Sequence, residues 1–167
     1  NAVDVPRQST ALGAQPGPVS APVRVRVDAL GIDMSIEAVG LADDGTMALP
    51  VNPAVAAWYR YGSGPASAAG ATVVAAHVDS LVYDIGPFAQ LAKAPAGTEI
   101  VLDTADGVVH RYSVAAVATI GKPDVPWDSV FERTGAPRLT LVTCGGEFDY
   151  EAKRYLSNVI VTAVPVP

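Results

Sequence analysis

The chain has 167 residues, half of them apolar and 17% charged, with a net charge of −6, two histidines and a single cysteine. That length is one domain at about 100–200 residues each; a lone Cys excludes an internal disulfide, and one Cys with two His cannot build a four-ligand zinc site without carboxylates. The acidic balance, with no Lys/Arg run, argues against a nucleic-acid or anionic-membrane surface, and the longest near-apolar run, Val114 to Ile120, falls far short of the ~20 residues that span a bilayer.

In chain order, Asn1 to Pro22 holds Pro6, Pro16, Pro18, Pro22, Gly13 and Gly17 and no aromatic residue. Such a stretch has little to bury, so residues 1–22 read as an extended linker and residues 23–167 as the globular domain. Because the sequence opens on Asn1 rather than Met, a leader or anchor removed upstream is the expectation. Val23–Val27 alternates strictly, as a half-buried strand does when successive side chains face opposite sides of a sheet. Further strands are expected at Ser35–Val39, Thr72–His77, Glu99–Asp103, Val109–Ile120 (long enough to bend), Leu139–Cys144 and Val159–Val164. Turn chemistry separates them, as at Asp44-Gly45, Gly62-Ser63-Gly64-Pro65, Asp106-Gly107 and Gly121-Lys122-Pro123. Helical signal is confined to Phe88–Lys93 and Ser129–Arg133, each one or two turns. Seven or eight short strands with few helices predict a mainly β domain, either a closed barrel or a sandwich, since closure removes exposed edges.

Two strands deliver reactive side chains to their ends. Thr140-Leu141-Val142-Thr143-Cys144 brings the only Cys to a strand end followed by Gly145-Gly146, whose backbone can turn sharply and whose amides could face a developing oxyanion. Thr72-Val73-Val74-Ala75-Ala76-His77 ends on a histidine followed by the polar Asp79-Ser80. Two such strands in one sheet can join Cys144 and His77 at one edge across 67 positions, an arrangement for thiol chemistry. The bland alternatives are a buried structural cysteine and a solvent-facing histidine. His110, after Asp106-Gly107, reads as a surface strand position. Arg154, ten positions after Cys144, is the nearest cation besides Lys153 and offers a planar set of donors.

Thr140-Leu141-Val142-Thr143-Cys144 resembles the TLxTC signature of the sortases, the cysteine transpeptidases of Gram-positive cell surfaces. Four ordered blocks extend the likeness over most of residues 23–164: Gly40–Pro50, Ala57–Gly62, His77–Ser80 and Cys144–Asp149. Together they are similar to the actinobacterial class F group. The resemblance implies a closed eight-stranded sortase barrel with one or two short helices, with His77, Cys144 and Arg154 as the catalytic set and Thr143 and Gly145 at the substrate. It implies neither metal nor cofactor.

By the same resemblance, Cys144 attacks the threonine carbonyl of an LPxTG-like sorting signal of a surface protein. An amine from a cell-wall precursor or pilin lysine then releases the thioacyl enzyme as a new amide. A thiol near pKa 8.5 is only partly ionised at neutral pH, so a neighbouring imidazolium or arginine is needed to favour the thiolate. The protein is expected to be monomeric and to work at the extracellular face of the membrane, anchored through a segment absent from this chain. One departure stands out. Sortases commonly carry their arginine at the very start of the closing strand, whereas Arg154 precedes Val159–Val164 by a few residues, leaving Arg138 or a neutral donor as alternatives. Two rival functions remain: a secreted cysteine hydrolase using the same Cys and His, and a noncatalytic adhesion or carbohydrate-binding module with Trp58, Tyr59 and Tyr61 as its surface.

Overall fold

A computed structural model describes residues 19–80 and 83–167, so most of the expected linker lies outside the described residues. The barrel begins slightly before the expected boundary. The Ala105 amide donates to the Ala21 carbonyl, the Asp106 amide donates to the Ser20 hydroxyl, and Pro22 already pairs with Thr104.

Eight strands follow: β1 (Pro22–Val27), β2 (Ile32–Val39), β3 (Val55–Tyr59), β4 (Ala71–Ala75), β5 (Glu99–Thr104), β6 (Val109–Gly121), β7 (Arg138–Asp149) and β8 (Arg154–Pro165). They close into a barrel in the order β1-β2-β3-β4-β7-β8-β6-β5, so the closed barrel, rather than the sandwich, is the architecture. Two neighbouring pairs are parallel, β2 with β3 and β4 with β7, and the others are antiparallel. The expected bend in β6 is a bulge between Val114 and Ala116 where it pairs with β8. Among the described residues the helical content is one turn of α-helix, α1 (Trp127–Val130), and three 3-10 stretches, of which Pro87–Lys93 buries Phe88 and Leu91 in the barrel core. No helix among the described residues is long and apolar enough to cross a membrane.

β3 was not among the expected strands. Ala56 and Ala57 are weak strand formers, yet both are fully buried, since small side chains let β2, β3 and β4 pack closely. Within β3 the residues alternate, so Trp58 enters the barrel core and donates its indole N–H to the Ser63 carbonyl at 3.0 Å, while Tyr59 packs outside. The three aromatics of the adhesion reading therefore do not share one surface.

The barrel has an interior core, including Val25, Ile32, Met34, Val74, Leu102, Leu139, Leu141 and Val161, and a second cluster on its outer face. Ala71, Val73 and Ala75 of β4, Val142 of β7 and Ile160 of β8 form that outer cluster with Val125 and Val130. β4 is thus covered on both faces, as parallel-paired strands usually are, and its unbroken apolar run follows from this.

Candidate active site

Two long connections cover the outer face of β4, β7 and β8 and leave a groove of about 650 Å³ between them. The β2–β3 connection supplies Leu41, Met47 and Leu49, and is shaped by the Asp44 carboxylate, which accepts from the Thr46 amide (3.0 Å) and hydroxyl (2.6 Å). The β6–β7 connection supplies Trp127, Phe131 and Arg133. Tyr59 sets an edge-to-face contact with Phe131 at 5.3 Å between centroids, so this wall is aromatic. Val73, Ala75 and Val142 make the floor, and the polar residues Thr143, Cys144 and Asn158 gather at its end.

Cys144 belongs there by strand parity. Leu139 and Leu141 point into the barrel, Val142 points out, and Cys144 shares the outward face, half-buried and free. His77 arrives by register. Every β4–β7 pair from Ala71↔Arg138 to Ala75↔Val142 is offset by 67 positions. That offset persists beyond the ladder, where the Ala76 amide donates to the Val142 carbonyl (3.1 Å) and the Thr143 hydroxyl to the Ala76 carbonyl (2.8 Å). Continued by one residue past the ladder, that offset would bring half-buried His77, which is outside the groove lining, level with Cys144 on β7. Thr143, expected at the substrate, thus ties β7 to the His77 end of β4 through its hydroxyl.

The two glycines after Cys144 permit a close approach to β8. A Cβ on Gly145 would lie 2.5 Å from Val159 Cγ2, and Gly146 has φ +73° with Ser157 at 2.9 Å. A bulge between Gly145 and Phe148 then re-aims β7 into a hairpin extension. In that extension Phe148 and Tyr155 stack edge-to-face, and the Tyr155 hydroxyl donates to Asp79 at 2.7 Å, securing the His77–Ser80 segment to β8. The Asp79 carboxylate raises the Tyr155 hydroxyl to a pKa of about 12, with burial and the nearby Cys144 contributing less. Neither this tie nor the placement of Asn158 has a signal in the linear sequence, because both depend on which strands become neighbours.

The other candidates separate. Arg154 lies not before the closing strand but at its first residue, since β8 starts five positions earlier than expected; it pairs with Asp149. It shares the face of Asn158 and Ile160, but four residues at ~3.3 Å put it about 13 Å along β8 from the level of Cys144. Arg138 is committed elsewhere, bound to Glu132 at 2.9 Å and to the carbonyls of Ser129, Thr134 and Ala136. Lys153 occupies the β7–β8 turn with φ 54°. His110 sits on β6, 3.2 Å from the Thr104 hydroxyl and outside the groove lining.

A lone Cys aligned with a His at the end of an apolar groove, on an eight-stranded barrel, agrees with the sequence match of the sortase domain family over residues 25–166. The chain belongs to the sortase family of cysteine transpeptidases. Solved sortases share its fold at low identity. A mutant of sortase C-1 from S. pneumoniae matches with a TM-score of 0.63 and 19% identity over 86% of this chain and 65% of that one. A sortase D5 transpeptidase from Clostridium perfringens gives 0.63 and 17% over 88% and 79%, and sortase A from Corynebacterium diphtheriae 0.61 and 16% over 90% and 61%. No curated protein sequence matches the chain. The chain spans about two thirds of the length of the sortase C-1 chain it resembles.

Proposed function

We propose that this sortase cleaves an LPxTG-like sorting signal after its threonine and transfers the acyl group to an amine at the cell surface, in the manner of the actinobacterial class F group. The observation that carries this reading is the 67-residue offset of β4 against β7, continued by the Thr143–Ala76 bond toward His77, beside a Cys144 at the end of a mainly apolar groove. Leu41, Met47, Leu49, Tyr59 and Trp127 suit the apolar side chains of an extended signal peptide.

The thiolate of Cys144 adds to the threonine carbonyl carbon, forming a C–S bond as the carbonyl π pair moves to oxygen. Collapse restores the C=O and breaks the C–N bond, and the His77 imidazolium gives its proton to the departing glycine amine. The acceptor amine then attacks the thioester, His77 takes the proton released, the new C–N bond forms and the C–S bond breaks to return the thiolate. Arg154, an exposed cation on the groove face of β8, binds the signal's backbone carbonyls beyond the scissile bond.

Incubation with a panel of LPxTG-like and LAxTG-like peptides and a glycine amine, followed by mass spectrometry of protein and products, tests this reading. The expected result is a thioacyl adduct on Cys144 that the amine converts to ligated peptide. Cys144→Ala and His77→Ala should each abolish ligation with melting behaviour preserved, because neither side chain belongs to the core clusters. Ligation retained by Cys144→Ala would overturn the assignment; release of free acid alone, whatever the amine, would favour the hydrolase.

A further inference from the structure

We propose that Asn158 is the side-chain donor to the acyl oxygen that becomes negative when Cys144 attacks; the inference deepens the transpeptidase reading and rests on it. Asn158 pairs directly with Cys144 across β7 and β8. Directly opposed residues of an antiparallel pair point the same way, with Cβ atoms about 4.5–5.5 Å apart. Both residues line the polar end of the groove, so a carbonyl carbon bonded to the sulfur has its oxygen within reach of the amide opposite.

The state of that amide fits the role. Asn158 is 8% exposed, and its side chain makes one hydrogen bond, a long one of 3.3 Å from Nδ2 to the Thr143 carbonyl. An amide carries two N–H donors, so one hydrogen bond leaves the second for a ligand, and the bond to Thr143 holds the group in a fixed orientation beside the sulfur. A preorganised neutral donor in a site walled by Val142, Tyr59 and Phe131 acts in a low dielectric and need not reorganise as charge develops.

The cations are worse placed. Arg154 is four residues farther along β8, and the intervening groove-face position is Leu156, which donates nothing. Diagonal neighbours two positions apart are already about 7–8 Å from one another, so Arg154 meets substrate away from the reacting carbon. Arg138 is bound to Glu132 and three carbonyls. Arg133 lines the groove, but from the β6–β7 connection rather than from a strand next to Cys144.

The test compares two reactions of the same sulfur. Acylation of Cys144 by p-nitrophenyl acetate or by the signal peptide creates an oxyanion, whereas alkylation by iodoacetamide creates none. Both leave a mass tag on the only cysteine, and Cys144→Ala gives the background. In Asn158→Leu, acylation should fall by about 10²-fold, the usual loss for one such donor, with alkylation within about twofold of the parent. Asn158→Ser, which keeps a donor on a shorter side chain, should recover part of the loss, and it carries the comparison if the leucine variant does not fold. Equal losses in acylation and alkylation would reveal a residue that merely positions the sulfur, and unchanged acylation would hand the oxyanion to backbone amides; either overturns the proposal. Absence of a peptide adduct on the parent protein would count against the sortase substrate, while the ester-to-alkyl ratio still decides Asn158.

Discussion

Thr143→Val removes one hydroxyl from a residue that is 3% exposed and nearly keeps its shape. That hydroxyl donates to the Ala76 carbonyl at 2.8 Å, so the variant leaves a backbone acceptor beside His77 without its partner. Losing such a bond and orphaning the buried acceptor costs about 1–3 kcal/mol. At roughly 2–4 °C per kcal/mol for a domain of this size, the melting temperature should drop by roughly 2–12 °C. A second effect follows from position: Ala76 precedes His77, and a displacement of ~1 Å in a reacting group can cost about 10²-fold in rate. Peptide turnover at 25 °C, where the variant remains folded, should therefore fall by much more than the folded fraction does. Circular dichroism melts and single-turnover acylation measure the two effects separately. Thr143→Ser keeps the hydroxyl and should retain most of both properties. Wild-type melting and turnover in Thr143→Val, or a serine variant as impaired as the valine one, would refute the argument.

Arg154→Ala should raise KM about tenfold with kcat changed little, since a charge-assisted contact to the substrate backbone away from the reacting carbon is lost in ground and transition states alike; Arg154→Lys should recover part of it, and a kcat defect of 10²-fold would move Arg154 to the oxyanion. The Tyr155 phenol, held neutral by its bond to Asp79, stabilises the fold fully below its ordinary pKa near 10 and loses that contribution as pH rises through about 12. Spectrophotometric titration should show Tyr155 ionising late, alongside Tyr112, which burial raises to about 12; Asp79→Asn should bring only Tyr155 back toward 10, and an unmoved titration would disprove the coupling. Gly70 and Gly97 both have left-handed φ, +87° and +88°, but an added Cβ on Gly70 meets the Arg133 backbone at 2.6 Å and one on Gly97 meets nothing within 4 Å. Gly97→Ala should cost about 1–2 kcal/mol of conformational strain, and Gly70→Ala a further ~1–3 kcal/mol from overpacking; equal urea midpoints would sink the distinction.

Local pattern was legible wherever one face of a strand is buried and the other wet. The turn at Asp106-Gly107 maps onto the β5–β6 turn, and Val25 and Val27 enter the core as the alternation predicts, while Val23 stays exposed because a register shift between Pro22 and Arg24 breaks the pattern at the start of β1. Strand ends were less legible. β7 and β8 run on as a hairpin to Asp149 and from Arg154, past the apolar cores at Leu139–Cys144 and Val159–Val164, because pairing between their polar ends sustains the ladder. β3 escaped notice because Ala56 and Ala57 carry little strand propensity, and only neighbours on both sides make a strand of them.

By itself the sequence determined a mainly β domain, the chemistry available to it, and the two segments that carry Cys144 and His77, although neither is a strand end: β7 runs on through Cys144 to Asp149, and His77 lies two residues past β4. These depend on residue type and on spacings of two, which are local properties of the chain. Tertiary structure decided which strands became neighbours, and with that the partners of each reactive group. The parallel register of β4 against β7 aligned His77 with Cys144, the antiparallel register of β7 against β8 put Asn158 opposite the thiol, and the same ladder carried Arg154 about 13 Å along the strand. Those registers are set by closure of all eight strands around one core, because a slip of one residue would turn Val159 and Val161 out of the barrel and Ile160 into it.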